Sequence, residues 1–361
     1  MIQRLTLPQL ESYIRTIDVA KYALERNYLD RSTQLSEYIT RGIISLPRTR
    51  ALLLENNTEQ AAFKLIKELT WREYWQQTWR IRQDDIFDYI RPLNFEPRQG
   101  LPEAVLTATT GIEQLDVGIK QLYETGYIHN HLRLWIAGLI CNIAKCDWKL
   151  GAAWMHSYLI DGDYASNHLS WQWVAGSYTG SDYLPQQENI NTYTRSTQKN
   201  TYLDYPYNYL SDMDIPNQLK AIVTEPTLHQ SLPLKNTITI NEIQNAQSLF
   251  LYSPWTLDPQ WRSNEQAVRV LIMPSEIFRD GAFSQNVTDS IAIFSSFIPD
   301  MELIYLDRDK LEALTNANMY RKNYPGIAHW PGIVDEPELL YPDVSNKFYP
   351  SFSSFWKQAN K

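Results

Sequence analysis

The sequence predicts an α+β, multidomain protein in which an all-α domain is followed by a small α/β domain. Three observations carry this. From Leu7 to about Ile160 apolar residues recur at helical spacing, as in Leu65, Leu69, Tyr74 and in Ile112, Leu115, Ile119, Leu122. After about residue 215 the period shortens to the strand-like runs Ile238-Thr239-Ile240, Ser248 to Tyr252, Val268 to Met273 and Met301 to Leu306. Helix-like stretches, Ser284 to Ile298 and Asp309 to Ala317, lie between or after those runs, and such alternation implies some parallel pairing.

The expected boundaries are a helical domain over 1–182, a connector over 183–215 and a small α/β domain over 216–361. Ser32, Asp116 and Ser166 are candidate starts of turns or helices, and Pro92 and Pro97 break the pattern after the Trp-rich helix. The connector is rich in Tyr, Asn and Thr and poor in charge, with Pro206 and Pro216 near its end. A length of 361 residues with 43% hydrophobic content is enough for about two domains with a buried core. The net charge of -8 argues against bulk polyanion binding but leaves room for a local basic strip. Cys141 and Cys146 lack metal-ligand spacing, and two cysteines cannot supply the four thiolates of an iron-sulfur cluster. The longest apolar run, Leu134 to Cys141, is too short to cross a bilayer, and no charged-then-apolar leader opens the chain. The expectation is a soluble, cytoplasmic protein with no membrane partner.

One segment departs from a plain helical core. Thr125 to Trp173 holds four histidines, three aspartates, three asparagines, one arginine and five tryptophans in an otherwise apolar run. Buried polar groups are costly unless satisfied, so Asn130, Arg133, Asp161, Asp163 and Asn167 point to a large, polar-edged ligand. The segment reads Thr125-Gly126, His129-Asn130, Arg133, then Asp147-Trp148, then Asp161-Gly162-Asp163, Ala165, Asn167 and Trp171-Gln172-Trp173. In that order and spacing it resembles the flavin-binding heart of the DNA photolyase/cryptochrome family, with its TGxxHNxxR, DW, DGDxAxN and WQW motifs. Glu68 and Trp71-Arg72-Glu73-Tyr74 are similar to the family's ExxWREF segment. Tyr22, Arg26 and Ser32-Thr33-Gln34-Leu35-Ser36 are similar to its tyrosine and TSxLS-like phosphate cradle. Together these blocks cover about residues 10 to 210.

The resemblance implies non-covalent FAD as cofactor and chromophore. It implies FAD contacts from Tyr22, Arg26, Ser32, Thr33, Ser36, Asn130, Arg133, Asp161, Asp163 and Asn167. Arg133 is expected to pair with the first aspartate of DGD, which as a plain structural ion pair would be common in any helical domain. Asn167 is expected at flavin N5, its amide serving as donor or acceptor; its competing role is a helix N-cap or an Asx-turn. Trp171 and Trp148 match the inner members of the family's electron-transfer chain, although tryptophan in a helical core is more often packing. The catalytic set implied is therefore Trp171, Trp148, Asn167 and Glu68.

For damaged DNA, the resemblance implies Trp71 and Trp173 as aromatic walls around an extruded pyrimidine dimer, Glu68 as hydrogen-bond partner and Arg72 as phosphate contact. Arg80, Arg82 and Arg91 are further candidate phosphate contacts, each more often a solvated helix residue. Asn130 favours the cyclobutane-dimer class. A calcium loop at DGDYASNHLSWQ fails because Ser166 stands where the turn glycine belongs and Gln172 where the bidentate glutamate belongs. Histidines two apart on a helix do not face one another, so His129 and His131 give no metal site.

The sequence departs from the family pattern, at His131 and Leu134 on the DNA side and at the outer tryptophan in the electron-transfer chain. The outer tryptophan of the chain is replaced by Leu93-Asn94-Phe95-Glu96, leaving Trp75, Trp79 or a tyrosine as substitutes; His131 replaces an arginine, and Leu134 replaces a methionine. The family's α/β antenna domain precedes its helical domain; here that leading domain is expected to be absent, and the α/β run after the helical domain is either an antenna in reversed order, faintly suggested by Ala267 to Asp307, or an unrelated appendage. The expected function is that of a photolyase-like flavoprotein, a deoxyribodipyrimidine lyase driven by blue light, with electron transfer from reduced FAD to pyrimidine dimers for DNA repair. The alternatives are a cryptochrome-like light sensor that binds a protein signalling partner, and a flavin-binding scaffold without photochemistry.

Overall fold

The computed structural model describes residues 4–226, 233–278, 283–316, 318–344 and 346–361. In chain order the first helices are α1 (Leu7–Arg15), α2 (Val19–Glu25), α3 (Ser36–Thr40), α4 (Leu46–Glu55) and the long α5 (Glu59–Arg82). Local chemistry sets their starts. Thr6 and Gln9 form a capping box ahead of α1. Ser45 accepts the Arg48 amide ahead of α4, whose second residue is Pro47. Glu59 opens α5 while Arg80 and Arg82 close it, both favourable to the helix dipole.

Next come β1 (Leu101–Pro102), α6 (Glu103–Leu106), α7 (Glu113–Thr125), α8 (Asn130–Gly138), α9 (Trp148–Tyr158), α10 (Tyr164–Ala175), α11 (Gln187–Thr194), α12 (Tyr207–Asp212) and β2 (Ile222–Val223). The chain then runs through α13 (Ile240–Asn245), β3 (Leu249–Tyr252), β4 (Val268–Pro274), α14 (Ser275–Phe278), α15 (Gln285–Ser295), β5 (Met301–Leu306), α16 (Arg308–Glu312), β6 (Met319–Lys322), β7 (Ile333–Asp335) and α17 (Phe352–Ala359).

Two compact units share this chain. One, mainly helical, is Val19–Ser32, Thr70–Leu228 and Asn346–Lys361; the other, α/β, is Met1–Asp18, Thr33–Leu69 and His229–Ser345. The consecutive segments 1–182, 183–215 and 216–361 divide the sequence differently. The reason is that α1, α3 and α4 carry an ordinary helical period whether they pack on helices or beside a sheet, so period alone does not assign them. In the α/β unit Glu37 of α3 accepts from Arg4 at 2.8 Å and from Ser290 of α15 at 2.7 Å. Buried Arg41 donates to the Pro254 carbonyl and accepts the Leu257 amide.

The α/β unit holds a five-stranded, wholly parallel sheet in the order β5-β4-β3-β6-β7. Its first strand is central and later strands add to both sides, a doubly wound order. Central β3, Leu-Phe-Leu-Tyr, is buried at every position, as a strand covered on both faces requires. The strand expected at Ile238-Thr239-Ile240 is not one. Thr239 and Glu242 form a capping box that starts α13 at Ile240, so hydrogen bonding at the helix start overrides the β-branched run. The helix expected from Asp309 ends at Glu312, and Ala317 lies outside the described residues. Strands β6 and β7 were not visible as alternation, being four and three residues long.

In the helical unit the core runs through Leu115, Ile119, Leu122, Leu132, Trp135, Ile136, Trp148, Trp154 and Met155. Residues expected as connector contribute Leu184, Ile190, Leu203 and Leu210 to the same core and form α11 and α12.

Candidate functional site

The motif-bearing segment folds as three helices joined by short loops. Gly126 ends α7 with φ 72°, a left-handed turn that glycine takes without strain. Its carbonyl accepts the Ile160 amide at 2.9 Å, which draws the loop before α8 to the Asp161-Gly162-Asp163 loop between α9 and α10. Arg133, in the first turn of α8, donates through Nη2 to both oxygens of Asp161 at 2.9 Å and through Nε to the Ile128 carbonyl. The Asp161 side chain is 2% exposed, so the charge is sheltered from water and depends on this partner.

Asp163 has two tasks. Its Oδ1 caps α10 by accepting the Ser166 amide at 2.8 Å, while Oδ2 receives Gln76 and faces Arg72 at 3.6 Å, both from α5. Ser166, expected as a helix start, is an interior residue of α10, and Asp163 is the cap. This also decides the competing role of Asn167. It is no cap: it sits inside α10 and gives its amide nitrogen to the Ala152 carbonyl of α9 at 2.8 Å. Among the described residues nothing donates to its Oδ1, and Ser166 Oγ is buried without a hydrogen bond. Such open polar groups beside two sheltered aspartates fit a ligand with a polar edge, as a flavin has.

Asn130 opens α8 and is exposed. Tyr22 lies in α2, and Arg26, just beyond it, donates to the Ala23 carbonyl and gives its own carbonyl to His129 Nε2. Ser32 Oγ meets the Tyr127 hydroxyl at 2.6 Å, and the Arg133 guanidinium lies over the Tyr127 ring at 5.6 Å. These residues share the helical unit. Thr33 and Ser36 belong to the α/β unit, where the Thr33 carbonyl accepts the Tyr13 hydroxyl and Ser36 begins α3. Burial lowers the His129 pKa and, more strongly, that of His131, to about 4. His131 stacks between His129 and Tyr193 and is neutral at ordinary pH.

The expected DNA-facing residues are not grouped as the motifs implied. Glu68 is exposed on α5 in the stretch assigned to the α/β unit, one turn ahead of Arg72. Trp71 is covered: Phe352 of α17 lies on its ring with centroids 3.7 Å apart and planes 9° from parallel. Trp356 stacks in turn on Phe352, and Tyr74 packs against Phe352 and Phe355. Gln77 and Tyr74 hydrogen-bond the Lys347 and Tyr349 carbonyls, so the C-terminal segment is tied along one face of α5. Trp173 packs on Tyr183 and makes no ring contact with Trp71 among the described residues. Arg82 lies over Phe348, and Arg91 reaches the Thr179 carbonyl.

Trp171 is buried and its benzo ring packs on α9 at Gly151, where an added Cβ would sit 2.5 Å from Cη2. Trp148 lies one turn away at the start of α9, capped by Asp147 and fully buried. Its ring neighbours are Tyr89, with centroids 5.9 Å apart, and His168, at 6.1 Å. Trp75 and Trp79 lie elsewhere: Trp75 packs on Trp71 and Tyr178, Trp79 on Phe87 and Tyr164. The residues missed by motif reasoning are Gln76, Tyr127, Gly151 and Phe352. Only the last had a sequence signal, the cluster Phe352, Phe355, Trp356 in a short amphipathic stretch.

A family model described as the FAD binding domain of DNA photolyase matches residues 65–263. Deoxyribodipyrimidine photo-lyase of Halobacterium salinarum is 26% identical over 223 residues, covering 57% of this chain and 46% of the relative. That of Vibrio cholerae is 30% identical over 188 residues, covering 49% and 39%. The chain thus spans less than half the length of these curated relatives. Among solved structures, a class III photolyase from Agrobacterium tumefaciens aligns at 22% identity and a TM-score of 0.47, over 53% of this chain and 43% of that one. A Synechocystis cryptochrome aligns at 20% identity and a TM-score of 0.48, over 54% and 44%.

Proposed function

This chain belongs to the family of the DNA photolyase FAD-binding domain, its cofactor is FAD, and from that premise we propose light-driven electron transfer from reduced FAD to cyclobutane pyrimidine dimers in DNA. The observation that carries the reading is the paired set around the DGD loop: Asp161 on Arg133, Asp163 on Gln76 and Arg72, and Asn167 with its amide oxygen open. When bound, FAD supplies a one-electron donor that blue light excites. Arg133 and Asp161 would hold the ring edge through their sheltered ion pair, and Asn167 would offer a neutral amide able to accept a proton-bearing nitrogen without adding charge. Trp171 and Trp148 return electrons from the protein side. In the helical unit Arg72 is the polar contact for the lesion's phosphate, and Trp71 is its stacking wall.

Phe352 on Trp71 favours a second reading. A wall already filled by the chain's own C-terminal helix suits a light sensor whose tail, once released, offers α17 or Trp71 to a protein partner. One experiment separates the two. The purified, chemically reduced protein, yellow beforehand with FAD, is illuminated with a thymine-dimer oligonucleotide and the products are chromatographed. Restored thymines support repair. Intact dimers together with light-dependent protease cleavage after residue 346 support the sensor, and a protein that neither carries nor takes up FAD refutes both.

A further inference from the structure

We infer that Tyr89 is the terminal electron donor of this chain, and that Asp147 takes its phenolic proton. The inference rests on the proposed flavin photochemistry and supplies the outer relay that the sequence lacks at Phe95. Phe95 itself packs under Lys145. Of the two described rings against Trp148, His168 is a poor donor: burial holds it neutral with a pKa of about 4, and a neutral imidazole gives up an electron less readily than a phenol. Tyr89 is the other: among the described residues it is the redox-active side chain whose ring meets Trp148 directly, and it is half-buried while Trp148 is sealed.

The placement of Tyr89 is built. Gln172, fully buried between Trp171 and Trp173, donates to the Ile86 carbonyl and accepts the Ile90 amide, so one side chain clamps the backbone on both sides of Tyr89. The Asp88 carboxylate accepts the Tyr89 amide and pairs with Lys149, whose ammonium lies 4.8 Å from the Tyr89 ring centroid. Among the described residues the phenolic oxygen is buried without a hydrogen bond, and Asp147, which caps α9 immediately before Trp148, is the carboxylate whose charge acts on it. Burial first, then Asp147, pushes the phenol well above its usual pKa, so Tyr89 holds its proton until it is oxidised.

The step balances as one electron and one proton. With FAD bound, which would supply the light-driven electron acceptor, Trp171 and Trp148 would pass an electron inward and the vacancy would come to rest on Trp148. Among the described residues its buried indole N–H has no hydrogen-bond partner to take a proton, so the charge would be refilled rather than discharged. One electron passes from Tyr89 to Trp148, the phenolic O–H bond breaks, and its proton goes to the Asp147 carboxylate. The neutral tyrosyl radical left behind is reduced by one electron and one proton from an external thiol.

The test uses the flavin-loaded protein under anaerobic blue light with a thiol reductant. Tyr89→Phe is expected to melt like wild type and to photoreduce about tenfold more slowly, the change that about 1.4 kcal/mol of barrier makes. Electron paramagnetic resonance under illumination reads the donor directly: a tyrosyl radical in wild type, a tryptophanyl radical in Tyr89→Phe. Asp147→Asn keeps a good helix cap, since Asn serves there as well as Asp, and is expected to slow the same step and shift the signal towards tryptophan. Trp79→Phe is expected to change nothing. Wild-type rate and an unchanged radical in Tyr89→Phe, with Trp148→Phe still slow, overturn the inference alone. Full rate in both Trp171→Phe and Trp148→Phe overturns the electron-transfer reading with it.

Discussion

Phe352 lies flat on Trp71, 3.7 Å between ring centroids, at the residue expected to stack a damaged base. Aromatic pairs are worth about 0.5–1.5 kcal/mol beyond their burial, whereas base stacking is worth about 1–3 kcal/mol per base. A lesion can therefore displace this ring, but at reduced affinity. Phe352→Ala is expected to tighten binding of a dimer-containing oligonucleotide to the reduced protein while lowering the melting temperature, since Phe→Ala in a core costs about 3–5 kcal/mol. Fluorescence anisotropy checks the first and calorimetry the second. Equal or weaker binding by the variant would show that Trp71 takes no base.

Asp161→Ala removes the sheltered partner of Arg133, leaving the guanidinium, among the described residues, the Tyr127 ring and the Ile128 carbonyl. Breaking a buried pair from one side costs about 3–5 kcal/mol. The variant is expected to lose FAD on a desalting column and to melt early. Asp161→Asn, which retains a hydrogen-bond acceptor, is expected to recover part of the stability and little of the flavin. Full flavin occupancy in Asp161→Ala would place the site elsewhere.

The motif residues of α8 to α10 were legible because a ligand site concentrates polar groups in a segment that otherwise must be apolar; Arg133 on Asp161 is where that reasoning led. Residues whose contacts lie far along the chain were not. Nothing local to Phe352 names Trp71 as its partner, and nothing local to Gln76 names Asp163. At Thr239 and Glu242 a capping box outweighs two flanking isoleucines, so local hydrogen bonding decides the element against β-propensity. The α/β character of the C-terminal region was legible in three buried apolar strands, while β7, half exposed at Ile333 and Val334, gave no alternation to find.

Acid is expected to destabilise the protein through two histidines. His131 and His168 are each lowered by burial to about 4 from the usual 6.5. Between those values the unfolded chain binds protons that the native state refuses, so stability falls as pH drops from about 6.5 towards 4 and is unaffected above. Melting temperature against pH checks this. His131→Phe, which keeps a ring against Tyr193, is expected to flatten part of the slope. An unchanged slope in His131→Phe and His168→Phe alike would assign the acid loss to other groups.

Gly151→Ala tests whether Trp171 is held where electron transfer needs it. On an exposed helix the change would be stabilising, by about 1 kcal/mol of helix propensity. Here the added Cβ would stand 2.5 Å from Trp171 Cη2, and Trp171 is itself buried against α9. An indole cannot flex away from such a contact as a methionine would, so the ring must move or the helices must part, at about 1–3 kcal/mol for overpacking. The clash exceeds the propensity gain over most of that range. The expected result is a lower melting temperature and slower flavin photoreduction than wild type, with Trp171→Phe slow as well. A higher melting temperature at undiminished photoreduction would mean that the propensity gain acts alone and that Trp171 does not rest on Gly151.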